Sequence, residues 1–239
     1  ASGSIVAQHA TVNVNVGSRN NWMYNHSLTC PRDANGNQFS ETMVAWAEDY
    51  YDRLVDGRRI DIRVDGFHFD TDRYIMLGRM AADVDNDLRR DDGILPGGDN
   101  VWGKGLENFY ALLREALPDK MIVGGGSDAR GIDSINGTQI EGFPVASNSF
   151  GVRPDYSSVN ARLANFGVHT RSHTVGPAMT MALSKAPTLE YPGMEPAFRR
   201  DPNDPKPTSN APFRFSFGLA LMDDGFYGMP SSGDHDKEG

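Results

Sequence analysis

The sequence predicts an α/β protein with a parallel sheet, arranged as a (β/α)8, TIM-like barrel. Short β-rich runs alternate with amphipathic helical stretches along the 239 residues, which is the order that strand–helix–strand units produce. The length is close to the ~250 residues typical of such barrels. About six strands can be counted where a complete barrel has eight, so either some strands leave no clear pattern in the sequence or the barrel lacks one or two units at its N-terminus. We predict a single domain over residues 1–239.

The first 70 residues are predicted to hold two strands and one helix. Residues 5–16 are rich in β-branched side chains and alternate through Thr-Val-Asn-Val-Asn-Val, as a strand should. Residues 17–39 are polar and rich in turn formers, so we predict a loop there. Ser40 can cap a helix that extends to about Asp56. A second strand is predicted over residues 60–70, followed by an Asp-, Arg- and Gly-rich insertion at about 71–104; long connections of this kind are often functional.

The second half of the chain continues the alternation of helices and strands. Helices are predicted over residues 105–117, 156–166 and 213–222, and the first of them has an apolar stripe at helical spacing. Strands are predicted over residues 121–123, 178–183 and 225–227, and a further strand is expected to end at Glu141.

Composition and charge exclude several classes of protein. Hydrophobic residues make up 38% and charged residues 23% of the chain, which is typical of a globular protein and not of a disordered or fibrous one. The net charge of −9 opposes binding to nucleic acid phosphates and to anionic lipid, whereas neutral sugars meet no such obstacle. No apolar run reaches the ~20 residues of a membrane span. Cys30 is the only cysteine, so the chain has no internal disulfide.

Two acidic residues follow predicted strands. Asp70 ends the apolar run Val-Asp-Gly-Phe-His-Phe-Asp, in which alternation puts His68 on the same face as Asp70. Glu141 ends a second apolar run beside Phe143, and an apolar wall raises the pKa of a carboxyl group, as a general acid requires. Barrel enzymes carry catalytic groups at the carboxyl ends of their strands, and glycoside cleavage needs two carboxyl groups. The plainer interpretation is that Asp70 caps a loop and that Glu141 is an exposed loop residue.

The run Asp-Gly-Phe-His-Phe-Asp at residues 65–70 resembles the fourth-strand motif of the alpha-amylase superfamily, D-G-F-R-x-D. His68 stands where that superfamily has Arg. Residues 40–228 are more similar to the hypothetical glycosyl hydrolase families of bacterial barrel proteins. Three segments carry this similarity in order: residues 65–70, 113–142 and 217–227.

The resemblance implies that the protein hydrolyses a poly- or oligosaccharide. Asp70 would be the nucleophile or base and Glu141 the proton donor. His68 and Asp72 would orient this pair, and Asp224 would contact the substrate. Aromatic residues in or beside loops can serve as stacking platforms for sugars, although such rings also cover cores; the candidates are Trp102, Phe143 and Tyr227.

The run Asp-Val-Asp-Asn-Asp at residues 83–87 has the D-x-D-x-D spacing of a calcium loop. Leu88 and Ile94 stand where an EF-hand needs Gly and Glu, so a solvated acidic turn is the default interpretation. We therefore predict no cofactor, with calcium as the open alternative; its ligands would be Asp83, Asp85 and Asp87.

Two other functions are open on the sequence. A non-catalytic barrel could bind glycans or act as a subunit of a larger surface assembly, because an incomplete barrel exposes sheet edges that a homo- or hetero-oligomer would cover. A metal-dependent deacetylase would need His and Asp residues around one ion, for which His68, Asp70 and Asp72 are the candidates. For a protein that acts on glycans we expect secretion or display at the cell surface, with the cytoplasm as the alternative.

Overall fold

The computed structural model describes residues 11–16, 19–52, 65–69, 74–75, 83–87, 93–125, 131–141, 143, 156–183 and 217–228. The long helices within these ranges are α1 (Phe39–Asp52), α2 (Val101–Ala116) and α3 (Tyr156–Ser172), and a 3-10 turn covers Leu221–Asp223. The strands are β1 (Thr11–Val16), β2 (Arg19–Tyr24), β3 (Gly66–His68), β4 (Met121–Gly125), β5 (Gly137–Glu141), β6 (Met181–Leu183) and β7 (Phe226–Gly228).

Five strands form one sheet in the order β3-β4-β5-β6-β7. The pairings from β4 to β7 are parallel: Val123 lies opposite Gly137 where β4 meets β5, and Gln139 lies opposite Met181 where β5 meets β6. Helices alternate with these strands along the chain. The predicted α/β class with a parallel sheet is therefore confirmed.

The prediction of a loop over residues 17–39 is wrong at its beginning. Arg19–Tyr24 forms strand β2, which pairs antiparallel with β1 in a separate two-stranded sheet. Asn is depleted in strands, so the local composition gives little sign of one. The alternating segment of β1 lies only two residues earlier in the chain and supplies a partner, so pairing overrides the local propensity.

Two of the helices extend beyond their predicted bounds. Helix α2 begins at Val101, inside the predicted insertion, because Asn100 caps it: the Asn100 side-chain oxygen accepts a hydrogen bond from the Gly103 amide at 2.9 Å. The Asn100 side-chain nitrogen also donates to the carbonyl of Tyr74 at 2.8 Å. Helix α3 continues to Ser172.

The chain divides into two compact units, and each has its own core. The first comprises Ala1–Ile122 and Asp128–Ile135, and the second comprises Val123–Ser127 and Asn136–Gly239. The predicted single domain stays a prediction. In the first unit α2 packs against α1, and the most buried side chains of the core are those of Phe109, Tyr110, Leu113, Ile122 and Ile135. The buried core of the second unit consists of Ile140, Phe143, Phe166, Ala182 and Ala220.

Arg114 secures the end of helix α2 in the first unit. Its Nε donates to the carbonyl of Ser134 at 2.8 Å, and one terminal nitrogen donates to the carbonyls of Leu117 at 3.3 Å, Pro118 at 2.9 Å and Lys120 at 2.7 Å. All four carbonyls belong to residues that follow helix α2, which ends at Ala116. A planar guanidinium with five donors can bind several of these oxygens at once, so Arg114 links the helix to the turn before β4 and to Ser134.

Replacing Arg114 by Met should destabilise the protein, because the side chain keeps its length but loses every donor. We expect the free energy of unfolding to fall by about 1.5–3 kcal/mol, the usual range for hydrogen bonds to a charged group. Urea denaturation of both proteins measures it. Arg32→Met is the control: Arg32 forms an exposed ion pair with Glu41, which is worth less than about 1 kcal/mol. Equal losses in the two variants would contradict this role of Arg114.

Candidate functional site

Strand β3 shows the alternation that the sequence predicted. Phe67 lies 6.4 Å from Trp46 between ring centroids, and Phe69 meets the ring of Phe109 edge-on at 5.2 Å. Both Phe residues pack against the core of the first unit. His68, between them, is exposed. The face of β3 that carries His68 is therefore directed away from that core.

The position of β3 depends on a close backbone contact. A Cβ atom at Gly66 would collide with the carbonyl oxygen of Met121, at the start of β4. Any side chain at this position would push the two strands apart. Strand β3 ends at His68, two residues before Asp70. Asp70 and Asp72 lie outside the described residues.

Strand β5 ends at Glu141, which pairs with Leu183 of β6. Gly137, at the other end of the strand, has no space for a side chain, because a Cβ atom there would collide with the backbone of Met179. Parallel pairing puts the ends of β5 and β6 at the same edge of the sheet. The backbone of Glu141 therefore lies at the carboxyl edge of the sheet in the second unit; the description of this residue stops at its backbone.

The structure assigns the predicted stacking residues largely to the cores. Trp102 is 3% exposed and Phe143 is 2% exposed, and the Phe143 ring packs 5.2 Å from the ring of Phe166. A ring this deeply buried has no open face on which a sugar could stack. Tyr227 is half-buried in β7, and its ring centroid lies 6.0 Å from that of Phe217.

Asp224 and Glu141 lie at opposite edges of the sheet in the second unit. Asp224 is exposed and precedes β7, which begins at Phe226. Its φ of 53° is in the left-handed region and ends the 3-10 turn. Because β5, β6 and β7 are parallel, the residue before β7 lies at the amino edge, whereas Glu141 lies at the carboxyl edge. The position of Asp224 thus gives no support to the predicted contact with a substrate at the carboxyl edge.

The three carboxylates of the Asp83–Asp87 turn lie close together in the first unit. One oxygen from each of Asp83, Asp85 and Asp87 lies within 4.8 Å of the others. The Asp87 amide donates to side-chain oxygens of Asp83 at 3.1 Å and of Asp85 at 3.2 Å. Val84 is buried, and its carbonyl accepts a hydrogen bond from the Asn25 side chain at 2.9 Å. Oxygen clusters suit calcium, but exposed carboxylates also cluster without an ion. Calcium therefore stays the open alternative to the predicted absence of a cofactor.

Sequence reasoning missed the environment of His26. Its ring lies 4.4 Å from Phe109, 5.6 Å from Phe39 and 6.4 Å from Tyr24, measured between centroids. Its Nδ1 lies 3.2 Å from the hydroxyl oxygen of Ser40, which is buried at the start of α1. Burial among these rings lowers the pKa of His26 from 6.5 to about 4. A single His within a polar stretch gives no sign of such burial in the sequence.

The half-buried His26, whose ring lies among aromatic neighbours, should make the protein less stable in mild acid. The unfolded chain takes up a proton on this residue near pH 6.5, whereas the folded protein takes it up only near a pKa of about 4. The stability that the uncharged His26 contributes is therefore fully present above pH 6.5. It is lost as the pH falls toward 4, because only the unfolded chain gains a proton on His26 in this range. The shift corresponds to about 3 kcal/mol of unfolding free energy.

The measurement is urea denaturation between pH 7.5 and pH 4 for the wild type, His26→Phe and His68→Gln. We expect His26→Phe, which keeps a ring among its neighbours, to lose about 3 kcal/mol less than the wild type over this range. His68→Gln should behave like the wild type because His68 is exposed. A pH profile of His26→Phe that coincides with that of the wild type would contradict the assignment.

Comparison of this chain with family models, with curated proteins and with solved structures found no match. Among the helices that the structure describes, none combines the length and the apolar character needed to cross a membrane. The assignment of a function therefore depends on the residues and their positions in the sheet.

Proposed function

We propose that this protein is a glycoside hydrolase that cleaves a poly- or oligosaccharide with Asp70 and Glu141. The proposal is carried by one observation: each of the two acidic residues stands at or shortly after the end of an apolar strand. Strand β5 ends at Glu141, and strand β3 ends two residues before Asp70. Catalytic groups of barrel enzymes follow the carboxyl ends of parallel strands in this way.

The strand order supports a TIM-like barrel as the scaffold. The strands from β3 to β7 follow one another in the sheet in the same order as in the chain. A doubly wound sheet reverses its order at a switch point, whereas a barrel adds each new strand on the same side of the previous one. A sequential order of five strands is the pattern expected of part of a barrel.

The chemistry assigns different tasks to the two carboxyl groups. Glu141 would protonate the leaving oxygen of the glycosidic bond, and Asp70 would attack the anomeric carbon or activate a water molecule. A carboxyl separation of about 5–5.5 Å leads to retention of configuration, and about 6.5–9.5 Å leads to inversion. The anomeric configuration of the first product therefore reports which of the two tasks Asp70 performs.

Replacing either carboxyl group by the corresponding amide should abolish hydrolysis and leave the fold intact. We expect Asp70→Asn and Glu141→Gln each to lower turnover by about 100-fold or more, since positioned acid–base groups contribute 10²–10⁴-fold. Release of reducing sugar from a panel of polysaccharides measures turnover, and thermal unfolding checks the fold.

The matched controls are Asp119→Asn and Glu115→Gln, because both residues are exposed and precede β4 in the chain. They should keep full turnover. Unchanged turnover in Asp70→Asn or in Glu141→Gln would remove that residue from the mechanism. A wild-type protein that binds glycans but hydrolyses none of the panel would favour a non-catalytic glycan-binding protein instead.

A further inference from the structure

Two histidines lie one helical turn apart at the end of helix α3. His169 belongs to the last turn of the helix, and His173 directly follows Ser172, the last helical residue. Residues four apart are neighbours on the surface of a helix. The two imidazole rings lie 5.9 Å apart between centroids, with an angle of 25° between their planes. We name these two residues the histidine pair.

The histidine pair lies at the border between the core of the second unit and solvent. His169 is buried, as is Phe166 three residues earlier, which belongs to that core. His173 is half-buried. The Nδ1 atom of His169 and the Nε2 atom of His173 are both shielded from solvent. A nitrogen that has lost its hydration gains more from a bound ligand than a nitrogen in water does.

The distance between the two rings fits one metal ion that both of them bind. A zinc ion lies ~2.0–2.1 Å from a ligating imidazole nitrogen and about 1.2 Å farther from the ring centroid, so two rings on one ion have centroids at most about 6.5 Å apart. The observed 5.9 Å is within this limit. Imidazole is the commonest metal ligand in proteins, and zinc-binding helices hold their ion with two His residues four positions apart.

The topology puts the histidine pair at the amino edge of the sheet. The chain leaves β5 at the carboxyl edge, where Glu141 lies, and enters the parallel strand β6 at the amino edge, so α3 between them ends toward the amino edge. An ion pair between Arg171 and Asp223, which precedes β7, joins the end of α3 to that edge. In barrel proteins this edge contributes to stability, and catalysis takes place at the other one.

We propose that His169 and His173 bind a divalent transition metal ion such as Zn²⁺, which clips the last turn of α3. Imidazole ligands suit zinc, copper and nickel, whereas calcium and magnesium take oxygen ligands. Among the residues that the structure describes, no third His, Cys, Asp or Glu joins the pair, so water would complete the coordination beside the half-buried His173. The ion would stabilise the fold, and the inference is independent of the proposed hydrolysis.

The test is titration of the full chain with Zn²⁺ by isothermal calorimetry, after treatment with EDTA and dialysis. We expect saturable binding by the wild type. His169→Gln and His173→Gln should each weaken it about 10-fold or more, since even the residues that orient metal ligands are worth 10–100-fold in affinity. His173→Gln is the decisive variant if His169→Gln fails to fold, because His173 is only half-buried.

His68→Gln and Asp85→Asn are the matched controls and should bind Zn²⁺ as the wild type does. His68 is an exposed histidine outside the pair, and Asp85 belongs to the acidic turn, whose oxygen cluster is the other group that could hold an ion. A loss of Zn²⁺ binding in Asp85→Asn together with full binding in His173→Gln would assign the ion to that turn and overturn the proposal.

Urea denaturation with and without Zn²⁺ tests the stabilising role. A ligand that binds the folded state better than the unfolded chain raises stability, so Zn²⁺ should raise the urea midpoint of the wild type and of both controls. The midpoints of His169→Gln and His173→Gln should stay unchanged. Absence of saturable Zn²⁺ binding by the wild type, equal affinity in folded His173→Gln, or binding that leaves the wild-type midpoint unchanged would contradict the inference.

Discussion

The close approach of backbone segments at Gly66 and Gly137 is the constraint on which the candidate site depends. At each position a Cβ atom would collide with the backbone of a neighbouring segment, so a larger residue would displace the strand. Gly66 begins β3 and Gly137 begins β5. A displacement at the start of a strand is transmitted to its end, because a short strand moves as one unit. The positions of His68 and Glu141 thus depend on residues that take no part in chemistry.

Burial decides which aromatic residues can meet a ligand. Trp102 and Phe143 are almost completely buried, and their role is to fill the cores. Tyr24 is half exposed while its ring is supported by Phe39, and the Tyr24 ring also contacts His26 edge-on. The aromatic contacts that hold the hairpin against helix α1 therefore also position the exposed ring.

The order of residues along the chain predicted part of the candidate site. The alternation of β3 correctly separated His68 from the two Phe residues that flank it, because period-two alternation is a local property of a strand. The resemblance to glycosyl hydrolases implied that Asp224 contacts the substrate; Asp224 precedes β7 at the amino edge of the sheet, whereas the backbone of Glu141 lies at the carboxyl edge. Whether an acidic residue precedes or follows a strand decides its edge, and a short motif around it does not reveal where that strand begins.

Local sequence patterns alone determined the α/β class, the apolar stripe of α2 and the buried strand β4, since these depend on periodicity and on the apolar content of short segments. Only the tertiary structure decided that residues 19–24 form a strand, that α2 begins at Val101, and that the His26 ring lies among other aromatic rings. The first two features depend on partners close in the sequence, β1 for the strand and the Gly103 amide for the Asn100 cap, but the local composition did not single them out. His26 contacts Phe109, a partner distant in the chain, and contacts between distant residues have no period in the sequence.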